Sequence, residues 1–353
     1  MSGLMDEQCD NGYLPDSWGD ALVIVPWTLY VYQGNIHVLE KTYPAMVKYI
    51  DCMTSRATDG ILSRGQGDRP SADTHTPFEV TDTARYYLGA QIAARAAELL
   101  GKEEDTRKYG LLADEIRKAF NREFYKGDGL YSVGDQTAQG CALQRGLVPE
   151  AERAKAEARL IDAVEADGVS SDSGALGAIF RALSEAGGTD LALAMAATLW
   201  EQSDKTALCE LPGDVLAWCY QYLGGIRLSE NVSPIATVIN PNEVAFRSFL
   251  IAPEPVKGLD WVKAEYDSPC GMIRSTWVKD GGLFCLEIEV PVNTIATVCL
   301  PVEPGTHGLI ADVAPTLPVN NRMTFRIGSG TYTFAVPTGR EILTSGDSHK
   351  GGA

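Results

Sequence analysis

From residue 18 to about residue 225 the chain spells out one helix pattern after another, and no strand pattern interrupts the series. The segment Glu104 to Tyr125 sets Tyr109, Leu112, Ala113, Ile116, Phe120 and Phe124 on one stripe, the 3.6-residue period of an amphipathic helix. Thr83 to Leu100 is a second, rich in Ala. Pro149 to Ala166 opens on Pro and stops before Gly168, the usual start and stop chemistry. Asp20–Gln33, Ile36–Thr54, Gln136–Leu147, Ser173–Ala186, Asp190–Gln202 and Asp214–Leu223 read the same way, which makes about nine helices joined by short turns. The spacing predicts an all-α region.

From about Ser229 the texture changes. Pro, Asn, Val and Thr rise and the helical period disappears, so the change of domain is expected between Gly225 and Val244. Phe284, Leu286, Ile288 and Val290 alternate with Cys285, Glu287 and Glu289, a half-buried strand. Pro291-Val292-Asn293 turns the chain, and Ala296, Val298 and Leu300 alternate back. A hairpin centred near Val292 is expected, pairing Leu286 with Val298 and Ile288 with Ala296 on the buried face. It would set Cys285 opposite Cys299 on the outward face. Lys279-Asp280-Gly281-Gly282 marks a tight turn between Ile273–Val278 and Leu283. Short strands between turn signals indicate a β-sandwich. The expected division is a helical domain over 1–228, a sandwich over 229–345 and a disordered tail over 346–353.

Composition excludes several function classes. With 353 residues and a net charge of −17, the acidic surface repels phosphate backbones, so no nucleic-acid partner is expected. The most apolar run, Ala21 to Tyr32, is shorter than the ~18 residues of a membrane span and holds Pro26, so no membrane partner is expected either. Met1 to Glu7 has neither the basic nor the apolar stretch of a signal peptide. The eight Cys form no Cys-x-x-Cys pair, and there are only four His, so no metal site is expected. Reduced thiols in a cytoplasmic protein are the resulting expectation, Cys285 and Cys299 included.

No phosphate loop, dinucleotide fingerprint or nucleophile elbow is present, and no cofactor is expected. The notable groups are carboxylates beside Trp. Asp16-Ser17-Trp18-Gly19-Asp20 feeds the first helix, and Thr198-Leu199-Trp200-Glu201 ends a later one. Indole faces stack on sugar C–H faces, while carboxylates accept hydroxyl hydrogen bonds or move protons, so this pairing suits carbohydrate. Plainer readings stand beside it: Asp20 as a helix cap, Trp200 as core and Glu201 as a solvated helix end.

The string Ser17-Trp18-Gly19-Asp20-Ala21-Leu22-Val23-Ile24-Val25-Pro26-Trp27-Thr28-Leu29-Tyr30 closely resembles the catalytic domain of bacterial α-L-rhamnosidases, glycoside hydrolase family seventy-eight. Tyr43-Pro44-Ala45-Met46, Thr198-Leu199-Trp200-Glu201 and Trp218 to Ile226 match in the same order. Phe246 to Pro253 and Ala264 to Gly271 are similar to that family's C-terminal β-sandwich. The resemblance runs from about residue 12 to about residue 301. It implies a mainly α fold with a β domain, a partial (α/α)6 six-hairpin toroid followed by an antiparallel β-sandwich. It also implies inverting hydrolysis of terminal α-L-rhamnose from glycosides. By this resemblance Glu201 is the general base, Trp18 stacks on or walls the sugar, and Asp20 is a neighbouring polar contact. The partner it implies is a rhamnose-containing carbohydrate or glycoside.

The departures matter as much. The family's general acid lies in an Arg-Glu or Asp-Glu segment preceding Gly-Trp-x-Gly-Asp. Asp6-Glu7 is followed by no such string, so the chain reads as a truncated form without its general acid. Leu208-Cys209-Glu210-Leu211-Pro212-Gly213 stands where the family carries Asn-His, which removes a sugar-binding His. A full toroid has twelve helices against about nine read here. Against the glycosidase reading stands a non-catalytic carbohydrate-binding or structural remnant. A polysaccharide lyase on the same toroid is disfavoured by the scarcity of His. The oligomeric state is left open.

Overall fold

The computed structural model describes residues 17–63, 75–168, 176–202, 213–233, 239–302, 310–311 and 322–337. A 3-10 turn, Ser17–Asp20, leads into α1 (Ala21–Gln33). Then follow α2 (Ile36–Arg56), α3 (Phe78–Leu99), α4 (Glu103–Phe124), α5 (Gln136–Gln144), α6 (Glu150–Asp167), α7 (Leu176–Glu185), α8 (Thr189–Gln202) and α9 (Gly213–Trp218), which runs on as a π-turn, Cys219–Leu223. Gly34 takes the left-handed conformation after α1, and the Asn35 and Asp135 side chains accept backbone N–H bonds at the starts of α2 and α5. α3 starts at Phe78, ahead of the expected Thr83, because Pro77 serves as its cap.

One expectation of the helical half is corrected. The region is not all-α: β1 (Tyr125–Gly127) and β2 (Leu130–Tyr131) form a small antiparallel hairpin. Strands this short carry no readable alternation. Their signal was the turn Asp128-Gly129, both at positive φ.

The helices form two layers. α1, α3, α5, α7 and α9 pack successively side by side as an inner ring, and α2, α4, α6 and α8 lie outside them. Successive helices are antiparallel. Ile50 of α2 meets Gly89 of α3, while Thr54, further along α2, accepts from Tyr86, further back along α3. The inner helices are lined with small residues. Ala84, Ala90, Ala93 and Ala97 on α3 and Ala138 and Ala142 on α5 are fully buried, so the backbones approach closely.

The second half is a sandwich of two sheets. One has the order β10-β8-β4-β3, built from β3 (Ile226–Leu228), β4 (Ser248–Ile251), β8 (Ile295–Pro301) and β10 (Arg322–Ile327). The other has the order β5-β6-β7-β11-β9, built from β5 (Trp261–Ser268), β6 (Gly271–Asp280), β7 (Leu283–Val290), β9 (Ile310–Ala311) and β11 (Gly330–Pro337). β3 pairs antiparallel with β4, so the sheet begins three residues ahead of the expected boundary at 229. The Gly281-Gly282 turn is as read: both glycines have positive φ and Asp280 pairs with Leu283. The expected tail over 346–353 lies outside the described residues.

The hairpin expected near Val292 does not form. β7 pairs with β6 and β11, whereas β8 pairs with β10 and β4, so Pro291 to Thr294 carries the chain from one sheet to the other. The alternation was right, since Leu286, Ile288, Ala296, Val298 and Leu300 are all buried. Those faces meet across the sandwich rather than along one sheet, and alternation alone cannot tell the two apart. Cys285 therefore opposes Ala335 and Val278, and Cys299 opposes Thr324. The two thiols lie on the outward faces of different sheets, with about 10 Å of core between the sheets.

The halves are joined by backbone. Trp277 of β6, fully buried, donates its Nε1–H to Leu223 O at 2.7 Å. Arg227 donates to Gln221 O and Ala252 O and lies over the Tyr222 ring. Gly225 has φ +78, and a Cβ there would stand 2.3 Å from Pro253 N.

Two stability predictions follow from this packing. Gly225→Ala combines left-handed backbone strain with a backbone clash, and should lower unfolding free energy by at least about 2 kcal/mol in urea titration. Burial, followed by the nearby Asp105, Tyr125 and Glu185 respectively, raises the pKa values of Tyr43, Tyr131 and Tyr222 above the ordinary tyrosine value. The fold thus favours the neutral phenols. Their contribution is complete below about pH 10 and is lost as pH rises above it. Denaturant midpoints should fall between about pH 9 and pH 11, with phenolate absorbance appearing late and together with unfolding.

Candidate active site

The start of α1 is held by the layer outside it. Asp20 is buried and has helical backbone angles, and its carboxylate does not cap the helix. It turns instead to α2 and α3. Tyr49 donates its hydroxyl to Oδ1 at 2.6 Å, and Arg85 Nε stands 3.6 Å from Oδ2. Gly19 lies against the Tyr49 ring, where a Cβ would come within 2.8 Å, so the turn carrying Asp20 has no room for a side chain at that position.

A second guanidinium joins this group. Arg145 follows α5, and both Arg85 and Asp20 act on it electrostatically. Its Nε and Nη1 are buried without a hydrogen-bond partner, and burial lowers its pKa from the usual arginine value. Asp20 is therefore a carboxylate engaged by a phenol and paired with the Arg85 guanidinium. Such a group can orient a hydroxyl.

Glu201 lies exposed in the last turn of α8, beside Trp200, which is 38% exposed. The end of the molecule it occupies follows from the joint with the sandwich. Gly34, after α1, faces Ala245, and Asp190, at the start of α8, accepts from Lys257 N at 2.7 Å. Asp20 and Glu201 are at the opposite ends of those two helices, about 21 Å and about 16 Å away at 1.5 Å per residue. The antiparallel order thus brings both to the rim remote from the sandwich. The starts of α7 and α9 are there too, with Gly177 packed on Asp214.

The remaining expected positions fall elsewhere. The Trp18 side chain, Asp6-Glu7 and Leu208 to Pro212 lie outside the described residues. On the same rim an open cleft of about 660 Å³ is lined by Asp59, Glu79, Arg122, Glu123 and Lys126 among others, and includes neither Asp20 nor Glu201. Among the described residues no group of three or more His, Cys, Asp or Glu could hold a metal ion. Sequence reasoning missed Tyr49, Arg85 and Arg145. The available signal was Arg85, a charge set in the Ala-rich α3.

The chain matches two family models. Residues 2–203 match the bacterial alpha-L-rhamnosidase 6 hairpin glycosidase domain, and residues 239–310 match the bacterial alpha-L-rhamnosidase C-terminal domain. An alpha-L-rhamnosidase of Streptomyces avermitilis is 29% identical over 90% of this chain and 33% of its own length. One from Alteromonas sp. (strain LOR) is 25% identical over 88% of this chain and 38% of its own. The solved structure of the Streptomyces avermitilis enzyme complexed with L-rhamnose superposes with a TM-score of 0.76 at 26% identity, covering 90% of this chain and 32% of that one. The native Aspergillus terreus structure, at 22% identity, shares the fold with a TM-score of 0.74, covering 92% and 40%. The chain spans about a third of the length of the curated relatives it matches.

The Asp20 cluster makes a stability prediction. Tyr49→Phe removes one charge-assisted hydrogen bond and should cost about 1.5–3 kcal/mol. Asp20→Ala removes that bond and also leaves the Arg85 guanidinium without this counter-charge, so it should cost more, about 3–5 kcal/mol. Equal unfolding midpoints for the two variants would show that the ion pair adds nothing beyond the phenol contact.

Proposed function

As this chain belongs to the bacterial α-L-rhamnosidases built on a six-hairpin glycosidase domain, we propose that it serves inverting hydrolysis of terminal α-L-rhamnose from glycosides. Glu201 is the general base that activates water, Trp18 is a sugar-stacking residue, and Asp20 is a hydroxyl contact. The observation that carries this reading is the family match over residues 2–203, which ends just beyond Trp200-Glu201. The common rim of Asp20 and Glu201 supports it. Inversion needs a base and an acid about 6.5–9.5 Å apart across the scissile bond. Tyr49 and Arg85 hold Asp20 in place, whereas Glu201 is exposed at the rim, where it can meet water.

The proposed division is a partial toroid over 1–228 and a sandwich over 229–345. No described helix is long and apolar enough to cross a membrane. We place the chain in the cytoplasm, where its six described cysteines, all unbridged, would remain thiols.

Residues 1–353 hold no Asp-Glu or Arg-Glu ahead of Gly-Trp-x-Gly-Asp, so turnover by this chain alone should be small. An aryl α-L-rhamnoside with a good leaving group needs little acid assistance. Slow turnover of it, lowered by a further ~10²-fold or more in Glu201→Gln, is the expected result. Fast turnover of a natural, poorly leaving rhamnoside would sink the assignment of roles, as would an unaffected Glu201→Gln. The change to Cys209-Glu210 where the family carries Asn-His favours a second reading, a non-catalytic carbohydrate-binding remnant. Rhamnose binding without turnover of either substrate would select it.

A further inference from the structure

The cleft on the rim holds groups that the roles proposed for Glu201, Trp18 and Asp20 do not use. Four connections build it: the turn after α2, the start of α3, the end of α4 and the residues after β2. Its lips are fixed by backbone. Thr58 and Ile61 exchange two hydrogen bonds of 2.9 Å around Asp59-Gly60, both at positive φ. Ser132, also at positive φ, donates its N–H to Phe124 O at 2.7 Å. Left-handed backbone at two residues other than glycine, Asp59 and Ser132, thus meets at one opening, and such strain gathers at ligand sites.

Five charges face this space, Asp59, Glu79 and Glu123 against Arg122 and Lys126. Among the described residues none of the five pairs with another charge. Arg122 donates instead to Asp59 O at 2.9 Å, Lys126 to Glu123 O at 2.7 Å, and Glu79 accepts from the Ser63 hydroxyl at 2.9 Å. These groups select the occupant. An anion would meet three carboxylates against two cations, on a chain of net charge −17. An apolar or aromatic group would strip water from unpaired charges and return no hydrogen bond. Nor would an aromatic group find a ring to stack on, since Phe124 of the lining is buried in the core. A sugar hydroxyl donates to a carboxylate and accepts from a guanidinium or ammonium at the same time. Ile61, Pro77 and the exposed Val133 offer apolar surface to its C–H faces. The volume, about 660 Å³, is that of a small-molecule site. The cleft is also near the proposed reaction: Glu79 stands six residues before Arg85, the partner of Asp20, a rise of about 9 Å along α3.

We propose that the cleft binds a neutral saccharide, the portion of the glycoside beyond the terminal rhamnose, so that the leaving group is a sugar chain and not an aromatic aglycone. The direction of that chain, with its rhamnose end toward Glu201, rests on the hydrolase reading above. Saccharide binding in the cleft does not.

Four probes are titrated by calorimetry into the full 353-residue chain: neutral trisaccharides capped with α-L-rhamnose, the same trisaccharides uncapped, capped trisaccharides carrying one uronate, and an aryl α-L-rhamnoside. Both neutral sets should bind and should slow amide exchange in 58–61 and 122–133. Glu123→Ala and, separately, Lys126→Ala alter exposed side chains. Each should weaken both neutral sets by ~10-fold or more, the loss of one charge-assisted hydrogen bond. Circular dichroism and the slow turnover of the aryl rhamnoside should not change. If the neutral sets respond in this way while Glu201→Gln leaves aryl turnover unaffected, the saccharide site stands and the hydrolase reading falls. The inference is overturned if no neutral probe slows exchange in the cleft, if the uronate set binds more tightly than the neutral one, or if neutral binding ignores both substitutions.

Discussion

The structure depends on small residues along the inner helices. Ala84, Ala90, Ala93 and Ala97 of α3, with Ala138, Gly140 and Ala142 of α5, let five helices stand side by side at short range. At Gly140 even a Cβ would come within 2.9 Å of Ile179. Larger side chains there would push the ring apart and draw the outer helices off their seats. Each outer helix is amphipathic, as Tyr109, Ala113, Ile116 and Phe120 on α4 show, and needs that inner layer to bury its stripe.

The close inner packing also explains the polar cluster at the start of α1. A carboxylate set among packed helices has to be paired, and Tyr49 and Arg85 supply what solvent cannot. The rim is a different environment. Glu201, at a helix end, keeps its exposure. One fold thus separates a buried, paired carboxylate from an exposed one, although both arise from the same residue pattern, an acid close to Trp.

The helical half was legible because each helix writes its own period and caps. Start and stop positions at Gly34, Asn35, Asp135 and Gly168 need no distant partner. The strand alternation in Phe284–Val290 and Ala296–Leu300 was legible for the same local reason. The choice of partner strand was not, since the two runs bury the same faces whether they pair in one sheet or oppose across two. At the candidate site, Asp20 and Glu201 were visible as acids beside Trp. Tyr49 and Arg145 were invisible, and Arg85 stood out only as a charge in an Ala-rich helix, because each comes from a different stretch of chain that meets Asp20's neighbourhood only in the fold.

The sequence by itself determined the elements, the order of two architectures and the acids worth watching, because periodicity, capping and turn chemistry act over a few residues. Tertiary structure decided that Pro291 to Thr294 changes sheets and that Cys285 and Cys299 lie on opposite outer faces. It also decided that Asp20 is bound to Tyr49 and paired with Arg85 rather than capping its own helix. Those outcomes depend on which surfaces meet, and burial energy summed over distant segments chooses among arrangements that local pattern leaves equal.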